Sequence, residues 1–87
     1  RILTMFCKDY MFNLTKEVDG ETKYLVWAEI YCDDAPDPLP TDATDIENFP
    51  QNFDPTKVQF SPGSVLYAVN TGDVYMADST GTFIKQN

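Results

Sequence analysis

Histidine is absent from this chain of 87 residues, and cysteine (two), glycine (four) and basic residues (six) are scarce. Without histidine the usual general base, triad member and metal ligand are missing. Neither Cys7 nor Cys32 has an imidazole to activate it as a nucleophile. Paired carboxylates remain a route to glycosidase chemistry. The acids, however, crowd into a proline-rich stretch, where the spacing between two carboxyl groups is hard to hold. The run Asp33-Asp34-x-x-Asp37 offers oxygen ligands but lacks the glycine and the closing glutamate of a calcium loop. Gly63, Gly72 and Gly81 recur at the spacing of strand reversals, not as a phosphate-binding cluster. Six scattered cations against fourteen acids exclude a direct nucleic-acid binder. No apolar run approaches the ~18 residues needed to span a bilayer, so no membrane contact is expected. No charged segment leads into an apolar one, and no signal peptide is expected within these residues; a start at Arg1 leaves a trimmed leader open. The expectation is a protein without catalytic residues, metal or cofactor.

What the chain does have is β-forming, aromatic sequence. A hydrophobic content of 43% with twelve aromatic residues points to a folded chain of one domain, residues 1–87. A domain this small has little stability to spare, so a disulfide, self-association or a partner surface would help it. From Phe60 to Gln86 the sequence reads as an antiparallel meander, with strands over 64–70, 73–78 and 82–86 reversed at Thr71-Gly72 and Ser79-Thr80-Gly81. A two-residue turn at Thr71-Gly72 sets Val69 against Val74 and Tyr67 against Met76. Val65, Tyr67, Val69, Val74 and Met76 then share one face, and Leu66, Ala68 and Tyr75 the other. Pro62-Gly63 marks a tight turn at the entrance.

Near the N-terminus, Asp19-Gly20 is a strong type I′ hairpin signal between Tyr10–Val18 and Glu21–Cys32. Closure there sets Phe12 opposite Trp27, Leu14 opposite Leu25 and Cys7 opposite Cys32. A bulge would shift this register and separate the cysteines. Cys7 and Cys32 are therefore either a cross-strand disulfide or two small buried thiols. Leu25, Trp27 and Tyr31 fall on one face of the second strand, and Tyr24, Val26, Ala28 and Ile30 on the other, as in an interior strand. Asn13-Leu14-Thr15 matches a glycosylation sequon, read here as accidental.

The charge is concentrated. Asp33, Asp34, Asp37, Asp42, Asp45, Glu47 and Asp54 follow one another with no Lys or Arg between them, and five of the six prolines lie in or beside the same segment. Such a density of Pro and Asp defeats helix and central strand. Residues 33–56 thus read as one long acidic connection, with Thr44-x-x-Glu47 fitting a capping box for little more than one turn before Pro50. Connections this long are commonly functional. The plainer alternative is a solvated loop pinned by Leu39, Ile46, Phe49 and Phe53. The fold class expected is all-β: an N-terminal hairpin packed on the C-terminal three-stranded meander as a small sandwich or partly open barrel, with the acidic Pro-rich connection between them.

Three blocks carry a family likeness: Leu39-Pro40-Thr41-Asp42 through Ile46-Glu47-Asn48-Phe49-Pro50, then Phe60-Ser61-Pro62-Gly63-Ser64, then Gly72-Asp73-Val74-Tyr75-Met76 with Gly81-Thr82-Phe83-Ile84-Lys85. Over roughly residues 25–87 the chain resembles short proteins encoded in the head-morphogenesis modules of tailed bacteriophages and prophages of Gram-positive bacteria. It departs from many of them at Ala43-Thr44, where they carry a glycine. The resemblance implies a virion or head-assembly component, made in the host bacterial cytoplasm and located in the virion. Such a protein would meet other virion or head proteins, or further copies of itself, as a capsid-associated or decoration-type accessory. The candidate partner-binding residues are Asp42, Asp45, Glu47 and Phe49 on the connection and Tyr67, Tyr75 and Met76 on the meander. Two other classes stay open: an acidic inhibitor that mimics nucleic acid, and a small carbohydrate-binding module using Trp27 and neighbouring aromatics in an exposed row.

Overall fold

The computed structural model describes residues 5–49 and 52–87. The chain is all-β. Strands β1 (Met5–Val18), β2 (Glu21–Cys32), β3 (Ile46–Glu47), β4 (Val58–Phe60), β5 (Val65–Ala68), β6 (Asp73–Ala77) and β7 (Phe83–Lys85) form one open mixed sheet. Its order is β3-β1-β2-β5-β6-β7, with β4 also paired to β2.

Antiparallel pairing of β1 with β2 begins at the Asp19-Gly20 reversal, where φ is 53° and 80°. Positive φ at both central residues is what a type I′ turn requires. Leu14 faces Leu25, as the sequence predicts, but the register then shifts twice. Extra residues at Asn13 and Lys8 set Phe12 opposite Val26, Met11 opposite Trp27 and Cys7 opposite Ile30. Cys32 faces Met5, so the two cysteines are diagonal neighbours on one face instead of a directly opposed pair. Both thiols are free and buried.

The expected stacking of hairpin on meander is replaced by side-by-side pairing. β5 runs parallel to β2, with Glu29 beside Val65 and Tyr31 beside Tyr67, so hairpin and meander are parts of the same layer. A parallel return requires a crossover of a dozen residues or more, and the acidic connection between β2 and β4 is that crossover. It also supplies the second layer. Ala43, Ile46 and Phe49 are buried, and Ala35, Leu39 and Phe53 pack on the same core. Phe53 lies 5.4 Å from Phe12 and 5.3 Å from Tyr24, ring centre to ring centre, while Phe49 lies 6.1 Å from Tyr10. These contacts pin the crossover to the face built by Val26, Ala28, Ile30, Phe60 and Leu66, all shut off from solvent.

The capping box gives no helix. Asp42 Oδ1 takes the Thr44 N–H at 3.0 Å, and the chain passes through a turn into β3, which pairs parallel with Met5 and Phe6. Pro50 lies outside the described residues.

β4 and β5 share one edge of β2, and the turn Ser61-Pro62-Gly63-Ser64 interrupts them. Ser64 N–H donates to the Ser61 carbonyl (3.1 Å) and Gly63 has φ 87°, a type II geometry with proline and glycine at the central positions. The interruption leaves the Ala28 N–H of β2 without a strand partner, and the enclosed Ser64 hydroxyl accepts it at 3.1 Å while donating to the Ser61 carbonyl at 2.8 Å. On the meander, β5 ends at Ala68 and a longer loop, closed by Gly72 N–H to the Ala68 carbonyl, carries Val69 into solvent. Tyr67 therefore faces Val74 and Val65 faces Met76, two residues away from the register a two-residue turn would set. The last reversal is closed by Asp78, whose carboxylate accepts from Thr80 N–H, Thr80 Oγ1 and Thr82 N–H.

Candidate functional site

Two surfaces remain after the core is assigned, and they differ in chemistry. The first is the outer side of the crossover. Its apolar residues point inward, while Asp33, Asp34, Asp37, Asp45, Glu47 and Asp54 are exposed and Asp42 is half-buried. Some carboxylates are held locally. Asp54 accepts from Thr56 Oγ1 at 2.7 Å and Thr56 N–H at 3.0 Å, which keeps its carboxyl below the usual carboxylate range, and Asp34 accepts from Asn70 Nδ2 at 3.2 Å. Among the described residues, the ion pairs Lys8–Glu29, Lys23–Glu21 and Lys85–Asp73 all lie outside this segment, so none of the three neutralises its charge. Nor, among the described residues, do three His, Cys, Asp or Glu side chains gather as a metal site.

The second surface is the uncovered face of the sheet. Pairing across five strands sets Glu47, Phe6, Tyr31, Tyr67 and Val74 in one row. A neighbouring row runs through Glu29, Val65, Met76 and Ile84. Tyr31 and Tyr67 are each about 40% exposed, and Phe6 packs on Tyr31 at 5.7 Å. Together with Lys8, Glu29 and Val69, the two tyrosines line a groove of about 580 Å³. Met11 and Leu14 extend the apolar surface along the hairpin arm, both about half exposed.

Of the residues chosen from sequence, Asp42, Asp45 and Glu47 belong to the acidic side or its edge, and Tyr67 and Met76 to the open face. Phe49 is buried and Tyr75 packs against the core, so these two hold the fold and present little to a partner. Trp27 is half-buried with its Nε1–H donated to the Gly63 carbonyl at 3.1 Å, and the exposed aromatic row runs through Tyr31 and Tyr67 instead. Phe6 joins that row without any local signal, because only pairing across strands brings it beside Tyr31. Cys7 and Cys32 face the core. Burial pushes both thiols up, with Asp33 and Asp34 adding to the effect at Cys32; Cys7 Sγ donates to the Asp9 carbonyl at 3.2 Å.

No protein-family model, curated protein or solved structure matches the chain. No helix among the described residues is long and apolar enough to cross a membrane.

Proposed function

We propose that the chain is a non-enzymatic component of a tailed-bacteriophage head or of its assembly, made in the host cytoplasm, located in the virion and acting through protein–protein contacts. The family likeness of residues 25–87 motivates the virion setting. The observation that carries the contact is the anchored acidic crossover: a segment with seven acids and no cation, held against the sheet by buried Ile46 and Phe49 and by Phe53. A surface fixed in advance loses less freedom on binding than a mobile loop. Its partner is a basic patch on a head protein, and the attraction weakens as salt screens it over roughly 8–10 Å.

The test is co-sedimentation of purified protein with phage particles. Asp42→Asn, Asp45→Asn and Glu47→Gln together remove three charges, and the amide introduced at position 42 keeps an oxygen to accept the Thr44 N–H. The triple variant is expected to bind more weakly at low salt with an unchanged thermal midpoint. Equal pelleting of parent and variant would show the acidic layer to be a solvated cover. An acidic mimic of nucleic acid would use the same layer, and it is distinguished by binding to a nucleic-acid enzyme and not to particles.

One observation favours a second reading, a carbohydrate-binding module: Tyr31 and Tyr67 stand side by side at a groove that also carries Glu29 and Lys8. Calorimetric titration with cell-wall glycans separates it from the first.

A further inference from the structure

The uncovered face of the sheet meets the acidic contact only at its edge, where Glu47 stands beside Phe6. Tyr31, Tyr67, Met76 and Ile84 lie on it with 37–46% of their surface exposed, in a chain whose other sheet face is covered by the crossover. We propose that this face is covered by the same face of a second copy, two sheets stacking about a two-fold axis that runs between them and across their strands. The chain then completes as a dimer the sandwich that it does not form alone.

Three observations carry the choice of partner. The first is area. The molecule measures 37 × 25 × 21 Å, so its broad side offers on the order of 900 Å², against about 800 Å² that each partner of a stable interface contributes. The second is where the charge lies. The chain carries a net charge of −8, which would oppose self-association if it lined the contact. Part of it, the carboxylates of Asp37, Asp42, Asp45 and Asp54, instead belongs to the crossover, on the far side of the sheet. With layers about 10 Å apart, the two crossovers of a stacked dimer stand about 30 Å from one another, several Debye lengths at physiological salt. The third is the distribution of charge along the open face. Lys16 and Lys23 are directly opposite each other on it at the hairpin arm. Like charges so placed destabilise a strand pair, and the exposed contact of Lys23 with Glu21 at 3.7 Å relieves this little. At the other end stands Glu47, beside Phe6. A two-fold axis across the strands reverses them and lays the lysine end of one copy over the acidic end of the other, twice per dimer. An axis along the strands would instead bring lysines to lysines.

Sedimentation equilibrium of the full chain from roughly 1 to 200 μM tests this, since a homodimer dissociates on dilution. The expected mass tends to twice 9.9 kDa. Tyr67→Lys with Met76→Lys is expected to return the monomer mass with unchanged far-ultraviolet circular dichroism. Lys16→Glu with Lys23→Glu, which exchanges one like-charge pair on the hairpin arm for another, is expected to raise the dissociation constant at least tenfold with unchanged far-ultraviolet circular dichroism, and adding Glu47→Lys to restore it in part. A parent chain that stays monomeric over the whole range overturns the proposal, as does a dimer indifferent to both pairs of substitutions. The acidic contact is judged separately: a monomer that still pellets with particles refutes the dimer alone. Loss of pelleting in a monomeric chain on changing Tyr67 and Met76 gives the open face to a head protein instead.

Discussion

Replacing Ser64 with alanine removes a hydroxyl that solvent does not reach and that fills the gap where β4 hands over to β5. Three groups lose a contact, unequally; the Val26 carbonyl, 3.5 Å from the hydroxyl, keeps the Ser61 N–H at 2.9 Å. The Ser61 carbonyl keeps the Ser64 N–H at 3.1 Å. The Ala28 N–H, which donates to the hydroxyl oxygen at 3.1 Å, is left in a closed site beside the fully buried Val26 and Ala28 side chains. An orphaned buried donor costs about 1–3 kcal/mol, so Ser64→Ala is expected to lose about 2 kcal/mol. That is a large share of the roughly 4–13 kcal/mol ordinary for a domain of this length. At about 4–8 °C per kcal/mol for a domain of this size, the thermal midpoint should fall by about 8–16 °C. Urea unfolding followed by circular dichroism should show a lower midpoint with an unchanged slope, since the surface exposed on unfolding stays the same. Ser79→Ala, in an exposed loop, should leave the midpoint where it was. A fall below about 2 °C for Ser64→Ala would show that the β4–β5 junction does not depend on the hydroxyl, and would refute the reason given for serine at the end of the Ser-Pro-Gly-Ser turn.

Gly20 has φ 80° and open space around it, so Gly20→Val introduces backbone strain without a clash; a loss of about 1 kcal/mol or more in urea unfolding is expected, and an unchanged midpoint would contradict the type I′ turn. Cys7 and Cys32 should react slowly with iodoacetamide in the folded protein and quickly once it is unfolded, and equal rates would contradict their burial. Because burial raises both thiols in the folded state, the unfolded chain ionises first. Their contribution is therefore intact below the ordinary thiol pKa of about 8.5 and is lost as pH rises through the folded value. The urea midpoint should fall on the alkaline side less steeply in a Cys7→Ala, Cys32→Ala variant than in the parent.

Local backbone demands were legible in the sequence. Asp-Gly and Pro-Gly pairs announce their turns because few residues tolerate positive φ, and the alternation along β2 separates its two faces correctly. The bulges at Lys8 and Asn13 have no comparable marker. Each moves every pair beyond it by one position, and that separated Cys7 from Cys32. Parallel pairing of β2 with β5 was equally hidden, since it depends on where a long crossover returns and not on either strand. Val58-Gln59-Phe60 alternates like a strand, but a run so short carries too little periodicity to stand out. For the functional surfaces, charge along the crossover was visible as composition. Its apolar anchors Leu39, Ile46, Phe49 and Phe53 were legible as the residues that pin it, but the row through Phe6 and Tyr31 appears only once register is known.

Membership of a phage head is the central claim, and quantitative mass spectrometry of purified particles tests it most directly. The chain is expected in intact virions or in assembly intermediates, at a fixed ratio to a head protein. Its absence from both, in a lysate where it is abundantly made, would contradict a role in the head.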